Sequence, residues 1–361
     1  MANRIIVGTR KGLFILKPEG GGWTVERTAF LGSPVPSILH DRRDGTLYAA
    51  LDLGHFGGKL HRSEDFGETW QEVAAPAYPR AAEGVEGDNL KLLWTLEAAG
   101  PGQPGMLWAG TIPGGLFVSH DRGETWALNE PLWNVPERAR WFGGGYDKPG
   151  IHSILVDPRD ENHVAVGVSC GGVWLTGDGG RSWEIRTRGM TAAYMPPELA
   201  EDGAIQDPHR VVQCPGKPEA YWIQHHSGIF RSTDDLQSWQ DIPSMGPSIF
   251  GFAVAVHPND PDTAWFAPAI KDEFRYPVDG KFVVTRTRDG GRTAQVLSEG
   301  LPQATSYDLV YRHGLDVDET GERLAMGSTS GGVWTSANGG DSWTLLPDRL
   351  PPVYAVRFTT A

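Results

Sequence analysis

Cysteine is scarce, with only Cys170 and Cys214 among 361 residues. Both are expected at strand ends on opposite sides of the fold, too far apart to bridge, so no disulfide framework is available. Positive charge is also short: 32 Lys and Arg face 45 Asp and Glu, giving a net charge of -13. That balance argues against nucleic acid and against an anionic membrane as partners. No apolar run approaches the roughly 18 residues of a membrane-spanning helix, and Met1 to Arg10 reads straight into a strand rather than as a signal peptide. Reduced thiols and no export signal predict a cytoplasmic protein. Gly-x-Ser-x-Gly, Walker A, dinucleotide-fingerprint and EF-hand patterns are missing too, which leaves serine hydrolase, nucleotide and EF-hand calcium chemistry without support.

What the chain does have is a repeat. The pattern Ser/Thr-x-Asp-x-Gly-x-Thr/Ser-Trp runs from Ser63 to Trp70, Ser119 to Trp126, Thr176 to Trp183, Ser232 to Trp239, Thr287 to Ala294 and Ser336 to Trp343, with a vestige ending at Trp23. The copies decay at Leu236 (for Gly), Ala294 (for Trp) and Asn338 (for Asp). Their last residues lie about 47 to 57 positions apart, the period of a propeller blade. In an intact copy the Asp can accept turn amides, the Gly can adopt positive φ, and the Trp can bury its ring, so the aspartates of these turns read as structural.

Within one unit, runs at His152 to Val156, His163 to Val168, Gly172 to Thr176 and Ser182 to Arg186 are separated by turn residues and predict four short strands, A to D. The first unit lacks an A strand, and Val353 to Phe358 has the missing pattern. The expectation is an all-β, seven-bladed β-propeller, a single domain over residues 1–361, with its ring closed by the C-terminal strand joining the N-terminal blade. The 47 Gly and 27 Pro suit its many turns.

With these motifs along its whole length, the sequence resembles the bacterial Asp-box (BNR-repeat) propellers of the sialidase-like superfamily. Gly8 to Phe14, His152 to Pro158 and His226 to Ser232 are similar to single-domain members labelled glycosyl hydrolase or exo-alpha-sialidase. The resemblance implies a site on the face where the A strands begin. It does not extend to true sialidases, which resemble six-bladed rings with an Arg-Ile-Pro motif that is missing here.

In register, Pro36, Trp94, His152, His209, Phe252, Tyr307 and Tyr354 should open the A strands and ring the mouth of a central channel. Aromatic surfaces there suit sugar rings, or simply fill the mouth. His225 and His226, in the turn after a B strand, should neighbour His209, with His152 opening the adjacent A strand. His152, His209 and His226 are therefore the candidate catalytic residues and candidate ligands for Zn or Fe. Metal-free proton transfer, or plain hydrogen bonding to loop carbonyls, fits the same residues.

Long loops on the same face, including Pro76 to Leu90, add His55, Asp147, Glu273 and Arg275 as ligand-binding candidates. So does the aromatic, glycine-rich segment with Trp141 and Tyr146. Two function classes follow: an enzyme of glycosyl hydrolase type acting on a glycan or small polar substrate, and a non-catalytic propeller that binds another protein.

Overall fold

The computed structural model describes residues 2–80 and 87–360. The loop expected from Pro76 to Leu90 therefore falls partly outside the described residues. Strands dominate; among the described residues Glu130–Trp133 is the one α-helical turn. The strands form seven four-stranded antiparallel sheets, the blades of a seven-bladed β-propeller.

The first blade is built from both ends of the chain. Arg4–Thr9, Gly12–Glu19 and Gly22–Ala29 are joined by Val353–Thr359, in the order C-terminal strand, first, second, third. The register pairs Ile5 with Phe358 and Val7 with Val356. Ile5, Val7, Val353, Val356 and Phe358 share one core cluster, so the closing strand is held by burial as well as by its ladder.

Two compact units divide the blades: Met1–Gly32, Thr187–Glu201 and Pro208–Ala361 form one, and Ser33–Arg186 with Asp202–Asp207 the other. The first unit holds the two-ended blade and the three that follow residue 207. The second holds the remaining three. In each unit the A strands of successive blades pack together: Ser37–Asp41 on Leu92–Ala98 and that on Gly150–Asp157 in the second unit, Pro208–Gln213 on Gly251–Val256 in the first. Buried Trp108 and Trp174 anchor one core in the second unit, Trp222 and Trp265 two cores in the first.

The repeated turn works as its residue types dictate. Asp178 Oδ1 accepts the Thr176 hydroxyl (2.8 Å) and the Ser182 amide (2.9 Å), while Oδ2 accepts the Ser182 hydroxyl (2.7 Å). The decayed copy at Leu236 keeps the turn: Leu236 holds φ at +63° and its amide still donates to Ser232 Oγ at 3.1 Å. A buried leucine in this left-handed position stores strain that glycine would not.

The four strands expected in the unit after residue 149 are Gly150–Asp157, Asp160–Ser169, Gly172–Thr176 and Glu184–Ile185, the last shorter than its pattern. One register expectation is overturned. Tyr307 does not open an A strand; that strand is Leu315–Val317. The Ser306–Asp308 segment is held instead by isolated bonds: the Ser306 amide donates to the Gly280 carbonyl at 3.0 Å, and the Ser306 and Ser328 hydroxyls both donate to the Asp308 carboxylate (2.7 and 2.6 Å).

Candidate active site

His209 sits at an irregularity in the pairing of Pro208–Gln213 with Tyr221–His225, where the register slips between Pro208 and Arg210. Such a bulge re-aims a side chain. The buried His209 ring (2% exposed) stacks on Phe252 with centroids 4.5 Å apart and meets Phe250 edge-on at 5.6 Å. Its Nδ1 lies 2.7 Å from the Gly251 carbonyl oxygen. A carbonyl can only accept, so the proton is on Nδ1 and Nε2 is the basic nitrogen of the neutral ring.

His225 pairs with Gly228, which leaves His226 and Ser227 at the tip of a tight turn. The His226 ring is 5.4 Å from His209, 5.7 Å from Phe250 and 4.8 Å from Tyr194. Its Nε2 is 3.5 Å from Asp272 Oδ2. Tyr194 is carried by the connection 187–201, anchored where the Ala193 amide donates to Ser227 Oγ at 2.9 Å. Gln224, fully buried, donates to the carbonyls of His225, Gly228 and Ile249 and so fixes the turn against the segment leading to Phe250.

Asp272 is presented by a tight turn. The Phe274 amide donates to the Lys271 carbonyl at 3.0 Å, and Arg275 Nε donates to the Asp272 carbonyl at 2.8 Å. Glu273 is paired with Lys271. Arg275 and Arg312 place their guanidinium carbons 5.4 and 5.2 Å from the centre of Phe252. Tyr354 stacks on Tyr311, and Tyr307, 69% exposed, lies beside Tyr276.

The other predicted residues have different surroundings. His225 is buried in its blade, its Nδ1 accepting from the Ser227 amide at 3.0 Å and its ring edge-on to Phe230, so it serves the turn. In the second unit, buried His152 contacts Ser153 Oγ (2.9 Å) and the Trp94 ring (5.4 Å). Tyr146, 51% exposed, lies against the same indole, and Asp147 is exposed. Trp141 packs against Trp174 in the core. His55 is exposed in a single helical turn against Phe56. His152 joins no cluster of three or more potential ligand side chains among the described residues, so the expected histidine trio does not assemble around one ion.

His209, His226 and Arg275 are thus brought together. Tyr194, Phe250, Asp272 and Arg312 complete the locus and carried no signal in the sequence: each lies in a connection, and only packing of successive blades unites them.

No family model matches the chain. It is 27% identical over 320 residues to the probable oligoxyloglucan-reducing end-specific xyloglucanase of Neosartorya fischeri, covering 78% of this chain and 35% of that protein. The oligoxyloglucan-reducing end-specific xyloglucanase of Emericella nidulans is 28% identical over 223 residues, 61% of this chain and 24% of the relative. The chain therefore spans about a third or less of these relatives' length. Among solved structures, an ancestral GH74 enzyme superposes with a TM-score of 0.60 at 18% identity, over 90% of this chain and 38% of that one. YCF48 from Cyanidioschyzon merolae gives 0.56 at 14% identity, over 87% and 85%. YCF48 bound to D1 peptide gives 0.56 at 13%, over 88% and 83%. These likenesses place the chain among seven-bladed propellers, the architecture it shares with GH74 enzymes.

Proposed function

We propose that the protein is a glycoside hydrolase-like enzyme acting on a glycan or small polar substrate at the His209–His226 locus. The observation that carries this reading is the pair itself: two imidazoles 5.4 Å apart, one facing a carboxylate, inside a wall of Tyr194, Phe250 and Phe252. The sequence likeness to xyloglucanases supports the same chemistry. In this reading Tyr194 offers a face to a sugar ring. Protonated His226, steadied by Asp272, gives its proton to the departing glycosidic oxygen, and His209 Nε2 takes one from the attacking water. His209 and His226 are also the residues that would hold a Zn or Fe ion, which would supply Lewis acidity when bound. With Cys170 and Cys214 both free thiols, a cytoplasmic location goes with the proposal.

The test is hydrolysis of xyloglucan oligosaccharides and a panel of other glycosides by the purified protein and its His226→Ala variant, with and without chelator. Turnover lost in the variant supports the reading; no turnover of any glycoside sinks it.

A second reading, a propeller that binds a protein partner, is favoured by the exposed aromatics Phe274 and Tyr307. The likeness to YCF48, seen with a D1 peptide, points the same way. It predicts saturable binding of an extended peptide that is weakened by Tyr307→Ala.

A further inference from the structure

Two seams between blades are closed by an arginine that stands just ahead of its own repeated turn and reaches into the turn of the next blade. Arg62 Nη1 donates to the Arg122 carbonyl at 3.2 Å, and Arg286 Nη1 donates to the Gly339 carbonyl at 2.6 Å. In the last blade the same position, ahead of Ser336, is held by Thr335. The blade it packs against is the first, whose turn is the vestigial copy. There Glu19 pairs directly with Gly22, which leaves only Gly20 and Gly21, at φ of +59° and +84°, to make the bend. A two-glycine hairpin projects no side chain toward its neighbour.

Both sides of this seam are thus cut back together, and a cavity of about 350 Å³ stands between them. That lies within the roughly 300–1,000 Å³ of small-molecule sites. Glu19, Trp23, Thr335, Thr344, Leu345 and Asp348 are among its lining residues. Trp23 is half-buried: its ring meets Phe358 edge-on at 6.2 Å, and another part of it lines the cavity. At the same position of its repeat, Trp126 instead donates its Nε1 to the Ala74 carbonyl of the blade before, at 2.9 Å.

An indole offers a flat apolar face with one N–H at its edge. The carboxylates of Glu19 and Asp348 accept hydrogen bonds, and the Thr335 and Thr344 hydroxyls both donate and accept. Glu19 has a loose ion pair with Lys17, at 3.9 Å, and both acids are exposed, so hydroxyl donors can reach them. A pyranose ring has the matching surface, with C–H groups across its faces and hydroxyls around its rim. Two carboxylates repel an anionic sugar, which selects a neutral one.

We propose that this seam is a second ligand site, which binds a neutral saccharide with a ring face on Trp23 and hydroxyls on Glu19 and Asp348. The site is separate from the His209–His226 locus and needs no turnover there. It lies at a turn between strands C and D of its blade, whereas His226 lies at a turn between strands B and C.

The experiment is titration of the full chain with cellobiose, and separately with choline, followed by the indole N–H resonance of Trp23, which is assigned from its loss in Trp23→Phe. Cellobiose should move that resonance saturably. Thr335→Arg, which restores the arginine of the other seams and fills the cavity, should abolish the shift. Asp348→Asn, on an exposed side chain, should weaken binding about tenfold, the scale of one charge-assisted hydrogen bond, at an unchanged melting temperature.

A Trp23 resonance that does not respond to cellobiose overturns the proposal. A response to choline at lower concentration than to cellobiose also overturns it and identifies a cation site. So does a cellobiose response that is unchanged in both variants. Hydrolysis of glycosides without a response at Trp23 would overturn this proposal alone. A response at Trp23 without turnover of any glycoside would overturn the enzyme reading alone.

Discussion

The indole Nε1 of Trp183 donates to Asn129 Oδ1 at 2.9 Å, although the two residues lie in successive repeats. The same amide oxygen accepts the Leu132 amide at 3.1 Å and so caps the helical turn Glu130–Trp133. Asn129 Nδ2 then donates to the Gly180 carbonyl at 2.9 Å, inside the repeated turn. One side chain thereby locks the end of one blade onto the turn of the next.

Asn129→Ala should therefore cost about 1–3 kcal/mol, because it strands an indole donor, a helix cap and a turn carbonyl at once. Trp183 is only half-buried, so Trp183→Ala should fall at or below the lower end of the roughly 3–5 kcal/mol of a core tryptophan. Urea denaturation of both variants reads the two costs. An Asn129→Ala protein with an unshifted midpoint would show that the link is decorative.

Removing Val353–Thr359 should leave Arg4–Thr9 as an unpaired edge and strip Val353, Val356 and Phe358 from their core. The truncated protein should aggregate or melt at a lower temperature than the full chain. Soluble, monodisperse protein with the original melting point would contradict the pairing.

The repeated turns set an acid limit. Hydrogen bonds from the Thr69 hydroxyl and amide depress the Asp65 carboxyl to about 2, against an ordinary 3.8. The Thr293 amide and hydroxyl depress Asp289 equally, to about 2, and the Ser182 and Thr176 hydroxyls lower Asp178. A depressed carboxyl stabilises the fold above its unfolded value, and the contribution fades as pH drops from about 4 through about 2. Melting temperature should be insensitive to these groups near neutrality and fall steeply below about pH 4. In Asp65→Asn that acid-limb loss should be smaller, since the group no longer titrates.

At the site, His226→Ala should abolish turnover, and Asp272→Asn should lower it by about 10²-fold if the carboxylate steadies a proton-transferring imidazole. Both variants should keep the wild-type melting point, because His226 and Asp272 are partly exposed. Steady-state kinetics together with melting curves separate a chemical role from a structural one.

The fold was largely written in the turns. Their aspartates, glycines and tryptophans are local chemistry, so the period, the blade count and the missing first A strand could be read without coordinates. The register failed at Tyr307 because the 301–314 segment is held by the Ser306, Asp308 and Ser328 side chains and by isolated backbone bonds, such as the Ser306 amide to the Gly280 carbonyl and the Thr329 amide to the Leu309 carbonyl, rather than by a continuous ladder, which leaves no alternation to follow. At the site, His209 and His226 were legible because a strand pair and its turn are local. Tyr194, Phe250, Asp272 and Arg312 were not, since each depends on how separate connections pack.

The pairing of Arg4–Thr9 with Val353–Thr359 also has a consequence in time. During synthesis the first three strands leave the ribosome long before their partner exists. This blade is thus completed only after the six others have been made, and until then it carries an open edge that nascent-chain helpers would have to shield.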